Sequence, residues 1–200
     1  APAALKTYAT TLQSSGYPVY VCDGVNDEVE LATASATAGL GKTKLSKGTF
    51  TLGTALLLDD GGSMEGEGGS ERAGAGATTL VITGTNYGIT LTGNGGYNQS
   101  ALHKVLITTP ASFATTALKL TMNHRLWDTG PLLSDINIHA NLSGVLEGAP
   151  SMTAGGIGLS INCTTDVCFN RFGHIAVTGY ETGMRIWADR TSGYTYFNGN

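Results

Sequence analysis

Gly156-Ile-Gly-Leu-Ser-Ile-Asn162 is one of four copies of a short pattern that organises the second half of the chain. The other copies are Gly88-Ile-Thr-Leu-Thr-Gly-Asn94, Ala117-Leu-Lys-Leu-Thr-Met-Asn123 and Gly183-Met-Arg-Ile-Trp-Ala-Asp189. Each copy begins with a small residue, carries apolar side chains at its second and fourth positions, and ends in Asn or Asp. This period-two alternation predicts a half-buried β-strand that is closed by a turn-forming residue.

The copies recur at a spacing that is typical of repeat proteins. They start 29, 39 and 27 residues apart, and periods of about 20–50 residues are characteristic of stacked repeats. A second kind of strand lies between them, in Lys104–Thr109, Asp135–Ala140 and His174–Gly179. Two strand types in a fixed order predict an all-β solenoid in which successive coils stack on one another.

Stacking would place equivalent positions of the four copies in columns. The first apolar positions, Ile89, Leu118, Ile157 and Met184, would then form an inward-facing column about 4.8 Å apart. The closing residues would form an outward ladder of turn-forming side chains that bond along the stack. The members of this predicted structural ladder are Asn94, Asn123, Asn162 and Asp189.

One helix is predicted, over about 26–39. Asn26 is a natural N-cap, and Gly39 and Gly41 would end the helix. Val25, Val29, Ala32, Ala36 and Leu40 form one apolar stripe at helical spacing. Ahead of it, Val19–Cys22 is read as a weak strand.

Composition argues against several classes of function. The net charge is −4 and the sequence has no Lys/Arg cluster, so no nucleic-acid partner is expected. The sequence contains no run of 18 apolar residues, so no membrane span is predicted. The four histidines show no metal-ligand spacing, and no cofactor or metal site is predicted. Cys163 and Cys168 could pair across a loop or could both be buried thiols, and the sequence leaves both readings open.

The beginning of the chain resembles a known family. Asp23-Gly-Val-Asn-Asp-Glu-Val-Glu-Leu31, followed by Gly48-Thr-Phe-Thr-Leu52, is similar to the opening of right-handed parallel β-helices of the pectin-lyase-like superfamily, as found in phage tailspikes. The resemblance implies an all-β, right-handed parallel β-helix with one N-terminal capping α-helix. It divides the chain into a lead-in at 1–21, a cap with the first strands at 22–84, and coils at 85–200 that look incomplete at the C-terminal end.

Two sets of candidate site residues emerge. Asp189, Arg185 and Glu181 are weak candidates for catalysis, although the ladder explains Asp189 without it. Trp187, Arg185, Tyr180 and Trp127 are candidates for glycan binding, because aromatic rings beside charged groups suit sugars. The alternative for Trp187, which an exposed Trp favours, is that it packs beneath a neighbouring subunit or a further C-terminal segment. Glu65 and Glu67 lie between glycines and are expected in a solvated loop.

We therefore expect a virion or extracellular β-helix protein, tailspike-, fibre- or decoration-like, that presents a surface for host or glycan attachment. The resemblance implies a homo-oligomer, commonly a trimer, or a larger virion or surface assembly with a polysaccharide as a possible partner. The alternative is a polysaccharide lyase or glycosidase that acts along the outer face of the β-helix. The chemistry of the acidic residues favours attachment over catalysis, because no acidic cluster matches a catalytic motif.

Overall fold

The fold is described from a computed structural model. It describes residues 3–16, 18–68, 77–93, 98–122, 131–140, 153–164, 167–170, 172–188 and 196–199. These residues are mostly in β-strands, as expected. Neither of the helices within these ranges is long and apolar enough to span a bilayer.

The chain contains two helices followed by fourteen strands in the ranges described. The helices are α1 (Ala3–Ser14) and α2 (Glu28–Ala38). The strands, in chain order, are β1 (Lys42–Lys44), β2 (Gly48–Leu52), β3 (Leu56–Leu58), β4 (Ser63–Glu65), β5 (Thr78–Ile82), β6 (Ile89–Leu91), β7 (Ala101–Thr109), β8 (Thr116–Met122), β9 (Leu133–Ala140), β10 (Thr153–Cys163), β11 (Val167–Asn170), β12 (Ile175–Thr178), β13 (Tyr180–Ala188) and β14 (Tyr196–Gly199).

The strands form two main parallel sheets and one small pair. Sheet 1 contains β1, β2, β4, β5, β7, β9 and β12, and sheet 2 has the order β13-β10-β8-β6-β3. β11 pairs with β14. The chain passes back and forth between the two main sheets, so that neighbours within a sheet belong to successive repeats of the sequence. Every named strand pairing is parallel.

Sheet 2 contains the four copies of the repeated pattern, as β6, β8, β10 and β13. Strand register aligns Leu56, Ile89, Leu118, Leu159 and Met184 in one row across the sheet. The first four of these side chains are at most 1% exposed. The prediction of stacked apolar columns is therefore confirmed for this sheet.

The predicted register of the third copy is wrong by two residues. Leu159, and not Ile157, stands beside Leu118 and Met184. The same shift places Asn162 between Thr121 and Trp187, so Asn162 cannot share a row with Asp189. A slip by two residues preserves the inside–outside alternation, which is why the pattern alone did not detect it.

The other three members of the predicted ladder cannot be placed. Asn94, Asn123 and Asp189 lie outside the described residues. Asn162 itself is buried, and its Oδ1 atom has no hydrogen-bond partner.

The second kind of strand is confirmed in sheet 1 as the later parts of β7 and β9, and as β12. Val105 stands beside Ile136, which stands beside Ile175. Two residues further on, Ile107, Ile138 and Val177 form the next row. These rows face the same core as the rows of sheet 2, because all of their members join one apolar cluster with Leu118 and Leu159.

The cap is attached through two buried carboxylates. The backbone N–H groups of Thr51 and Gly24 donate to Asp27 at 2.6 and 2.8 Å. The N–H of Gly53 and the hydroxyl of Thr54 donate to Glu28 at 2.9 and 3.0 Å. Since both acids are buried, Asp27 and Glu28 hold the start of α2 against β2 and the two residues that follow it through charge-assisted hydrogen bonds.

Because of this attachment, the face of α2 that is buried differs from the one predicted. Leu31, Ala34 and Ser35 are buried beside Glu28, whereas Val25, Val29 and Leu40 of the predicted stripe are exposed. The N-cap is Asp27, and Asn26 instead has a left-handed backbone with φ of 55°. The carboxylates, more than the apolar stripe, decide which face of α2 meets the strands.

Two expectations for the first 22 residues are wrong. The lead-in contains a helix, α1, and Val19–Cys22 is not part of a strand. Of the cysteines, Cys163, in the last position of β10, is disulfide-bonded, whereas Cys22 is not in a disulfide.

The described part of sheet 2 ends at β13 with its apolar rows uncovered. Met184 and Ile186 are 46% and 49% exposed, although their neighbours Leu159 and Ile161 are at most 1% exposed. The same two rows are thus buried on β10 and open on β13.

Replacing the carboxylate of Asp27 is expected to destabilise the cap. Asp27→Ala removes the buried carboxylate that accepts hydrogen bonds from the backbone N–H groups of Gly24 and Thr51. Because both N–H groups lose their acceptor, the free energy of unfolding should fall by about 3 kcal/mol. Urea unfolding measures the change. Asp23→Ala, in the exposed part of the same loop, is the matched control and should lose less than about 1 kcal/mol. Equal losses for the two variants would contradict this role of Asp27.

A second pair of variants tests whether the apolar side chains of β13 are exposed to solvent. Ile161→Ala should lower the free energy of unfolding by about 2–5 kcal/mol, because it opens a cavity in a closed core. Ile186→Ala removes the same atoms from the next strand of the same row, where they are half exposed in the single chain, and should lose less than about 1 kcal/mol at protein concentrations at which the chain is a monomer. A loss at Ile186 as large as that at Ile161 would mean that β13 is covered in solution.

Candidate functional site

Arg185 and Trp187 form a stacked pair on β13. The guanidinium carbon of Arg185 lies 4.5 Å from the centre of the Trp187 ring, within cation–π distance. Both side chains are exposed, and Trp187 stands beside Asn162 of β10. The two residues are i and i+2 on one strand, so the alternation of the strand places them on the same face. The pair offers an aromatic surface next to a fixed positive charge.

Tyr180 is not an exposed ring, so in this structure it offers no open surface to a sugar. Its hydroxyl is 2.8 Å from the Thr109 hydroxyl, and its ring packs edge-on against Phe113 with centroids 6.2 Å apart. Burial raises the pKa of the Tyr180 phenol, which therefore stays protonated at any ordinary pH. The residue joins sheet 2 to the end of β7 as part of the core.

Glu181 also has a structural partner. Its exposed carboxylate accepts a hydrogen bond from the backbone N–H of Gly155, next to the irregularity in the pairing of β10 with β13. Of the other candidates, Trp127 and Asp189 lie outside the described residues. Among the predicted residues that the structure describes, Arg185 and Trp187 are the pair that it brings into contact.

A second cluster, on the outer side of sheet 1, was not predicted. The carboxylate of Glu65 accepts hydrogen bonds from the ammonium groups of Lys42, Lys44 and Lys104 at 2.7, 2.7 and 2.8 Å. The Glu65 side chain is 10% exposed, whereas the lysine side chains are about half exposed. We call these four residues the lysine cluster.

Strand register brings the cluster together. Lys44 on β1 stands beside Glu65 on β4, which stands beside His103 on β7. Lys42 lies two residues before Lys44, on the same face. Three strands that are distant in sequence thus supply one continuous polar row.

Lys104 reaches the same side through an unusual backbone. It has a left-handed conformation with φ of 54°, as does Asp135 at the equivalent place in β9. The change of hand interrupts the alternation, because Leu102 and Val105 are both fully buried although they are three residues apart. Consecutive side chains, those of His103 and Lys104, can therefore both lie toward the outer side.

Gly66 explains how the chain leaves the cluster. A Cβ atom at this position would lie 2.4 Å from the carbonyl oxygen of Lys104 and 2.7 Å from the Cβ of Thr78. The Gly66 N–H donates to the carbonyl of His103 at 2.9 Å. Glycine is required here because the backbone passes too close to β7 for any side chain.

An open pocket of about 480 Å³ lies over the cluster. His103 lines it and bonds through Nδ1 to the Ser134 hydroxyl at 2.9 Å. Gln99 also lines it, is 93% buried, and neither atom of its side-chain amide has a hydrogen-bond partner. The lining residues are Leu40, Lys42, Gly61, Gly62, Ser63, Glu65, Asn98, Gln99, Ala101, His103, Lys104, Pro131, Leu132 and Ser134.

The surroundings of the cluster fix the protonation states of three groups: Glu65, Lys104 and His103. Hydrogen bonds from Lys104, Lys42 and Lys44 hold the pKa of the Glu65 carboxyl far below its usual range, and the same ion pair raises the pKa of Lys104. Burial lowers the pKa of His103, although the charge of Glu65 acts in the opposite direction. At neutral pH the site therefore contains a carboxylate, three ammonium groups and a neutral imidazole.

These findings correct two expectations. Glu65 is a buried member of a strand and not part of a solvated loop, while Glu67 is exposed as expected. Lysines that are scattered in sequence converge in space, so the absence of a sequence cluster did not exclude a basic site. Within the described ranges, no group of His, Cys, Asp and Glu residues is placed to hold a metal ion.

Comparison with protein-family models, with curated proteins and with solved structures gave no significant match. The case for function therefore depends on the chain's own residues.

The ion pairs of Glu65 should make stability depend on acidity. The unfolded chain takes up a proton at Glu65 as the pH falls below about 4.3, whereas the folded chain does not, so stability should fall with pH in that range. Glu65→Gln should be less stable than the wild type at pH 7 and should lose less stability between about pH 5 and pH 3. Glu67→Gln, exposed two residues away, is the control and should keep the wild-type dependence. Urea unfolding at several pH values gives the comparison, and identical slopes for all three proteins would contradict it.

Proposed function

We propose that this chain is a right-handed parallel β-helix protein of a virion or cell surface that supports an assembly and presents a face for glycan attachment. Three features support the fold: strands that alternate between two parallel sheets, equivalent residues in register across successive repeats, and a helical cap fastened to the first strands. Stacked repeats of this kind stabilise one another through nearest neighbours. Such a scaffold can carry many functions, so the functional part of the proposal rests on its surface.

The Arg185–Trp187 pair is the observation that carries glycan recognition. An indole offers a flat apolar surface to the C–H face of a sugar ring, and a guanidinium donates in a planar fork to hydroxyl or carboxylate oxygens. Stacking of Arg185 on Trp187 limits the mobility of both side chains, which reduces the entropy lost on binding. The pair is exposed on a strand, which is a more rigid support than a loop.

Assembly is the other half of the proposal. Met184 and Ile186 are exposed beside the pair on an edge strand of sheet 2 in the described part of the chain. A strand edge with uncovered apolar side chains is a surface that another chain can extend or cover. A homo-oligomer in which copies meet at this edge, a trimer among them, fits this feature.

Binding to immobilised glycans tests recognition, and product analysis tests catalysis. On an array of bacterial surface and plant polysaccharides, we expect the intact chain to bind at least one glycan without releasing oligosaccharides. Trp187→Ala should weaken that binding about tenfold or more, since it removes the aromatic surface for the sugar and the ring against which Arg185 stacks. Tyr8→Ala removes an exposed ring on α1 and should leave binding unchanged.

Two outcomes would contradict the recognition half. One is no binding to any glycan by a correctly folded chain, and the other is binding that Trp187→Ala leaves intact. Oligosaccharide release that is lost in Arg185→Ala would instead favour the polysaccharide lyase or glycosidase. Sedimentation velocity reports separately on assembly, and a monomer at all concentrations would contradict that half.

A further inference from the structure

We propose that the pocket over the lysine cluster binds the anionic group of a sugar-sized ligand, either a carboxylate or a phosphate. This site is on sheet 1, whereas the Arg185–Trp187 pair is on sheet 2. The two sites therefore use different residues, and this proposal goes beyond glycan attachment at β13.

Charge balance is the first argument. Three ammonium groups surround one carboxylate, so the cluster itself has a surplus of two positive charges, which the nearby carboxylate of Asp135 offsets only in part. Each ammonium has three N–H donors and uses one of them on Glu65, so donors remain available. A second anion would relieve the repulsion among the lysines. Lys42 and Lys104 line the pocket itself, which places their free donors beside the space that a ligand would occupy.

Unused polar groups are the second and independent argument. Both side-chain amide atoms of Gln99 are buried without a hydrogen-bond partner, and so is the hydroxyl of Ser63. Both residues line the pocket. A buried amide without partners costs about 1–3 kcal/mol, so folded proteins rarely retain one without a purpose. Hydroxyl groups of a sugar donate and accept at once and would satisfy both atoms of the amide.

Size and neutral groups agree with a ligand of this class. About 480 Å³ lies within the range of roughly 300–1,000 Å³ that small-molecule sites occupy. His103 is neutral at pH 7, and its Nδ1 atom bonds to the Ser134 hydroxyl. Its other ring nitrogen can therefore bond to a sugar hydroxyl, and the imidazole adds no positive charge to the cluster. The site thus combines a charged end at the lysines with neutral polar groups around it.

Isothermal titration calorimetry of the full chain tests the proposal with four probes: glucuronate, glucose 6-phosphate, inorganic phosphate and glucose. We expect at least one of the sugar acids to bind more tightly than glucose. Because ammonium groups would hold the anion, the affinity should weaken when NaCl is raised from about 0.05 to about 0.5 M. Preference between the carboxylate and the phosphate identifies the anion, and equal binding of inorganic phosphate would show that the sugar is not recognised, which overturns the sugar part.

Variants distinguish a ligand site from a structural ion pair. The double variant Lys42→Met, Lys104→Met should weaken binding of the acidic probe about tenfold or more. Lys119→Met, which removes a lysine from β8 of the other sheet, is the control and should bind as the wild type does. Circular dichroism at the titration temperature confirms that each variant is folded.

Glu65→Gln gives the sharpest readout. It removes the carboxylate that competes for the lysines, so the acidic probe should bind several-fold more tightly even though the protein becomes less stable. A purely structural cluster would lose stability with no gain in affinity. The proposal is overturned if no acidic probe binds the folded wild type, or if the double lysine variant binds as well as Lys119→Met does.

Discussion

Parallel, in-register pairing between successive repeats is the constraint on which the rest of the structure depends. In a parallel ladder each residue stands beside its counterpart, so one register decides the neighbours of every side chain on both faces. On the inner side this places Leu118 beside Leu159 and closes the core. On the outer side the same rule places Lys44 beside Glu65 and Glu65 beside His103. Core and candidate site are thus products of the same hydrogen bonds.

The left-handed residues show how a site can be built without disturbing that core. A non-glycine residue in this conformation costs about 1–2 kcal/mol. Lys104 and Asp135 adopt it at the same position of neighbouring strands, and the residues that follow, Val105 and Ile136, are buried. Burial of an aliphatic side chain contributes about 1.5–3 kcal/mol and offsets the cost. The interruption gives sheet 1 two adjacent outward side chains per repeat instead of one.

The sequence predicted what alternation and spacing can specify. The repeated pattern predicted four of the five strands of sheet 2, and the sequence also predicted the second strand type and the helix that became α2. It could not choose between registers two residues apart, because Ile157, Leu159 and Ile161 are equivalent in a period-two pattern. It placed the wrong face of α2 inward, since the hydrogen bonds of Asp27 and Glu28 depend on partners more than twenty residues away.

The lysine cluster could not be predicted from the sequence, for a related reason. Lys42 and Lys104 are 23 and 39 residues from Glu65, and the glycines that flank Glu65 are typical of loops. Only the order of strands in sheet 1 makes these residues neighbours. Tyr180 was misinterpreted for a different reason: its place just before the predicted strand Gly183–Asp189 gave no sign that Phe113 and Thr109 contact it. Nothing in the sequence indicated that the side-chain amide of Gln99 would be buried without hydrogen-bond partners.

The uncovered edge at β13 also has a consequence for motion. Strands such as β8 are held by neighbours on both sides, whereas β13 has one neighbour within the described part of sheet 2. In a stack stabilised by nearest neighbours, opening begins where one neighbour is missing and moves inward strand by strand. The amide protons of β13 would then exchange with solvent ahead of those of β10, and those of β8 would follow. The exchange rate of a strand would therefore depend on its position in the sheet. The Arg185–Trp187 pair would lie on the strand that exchanges fastest of these three.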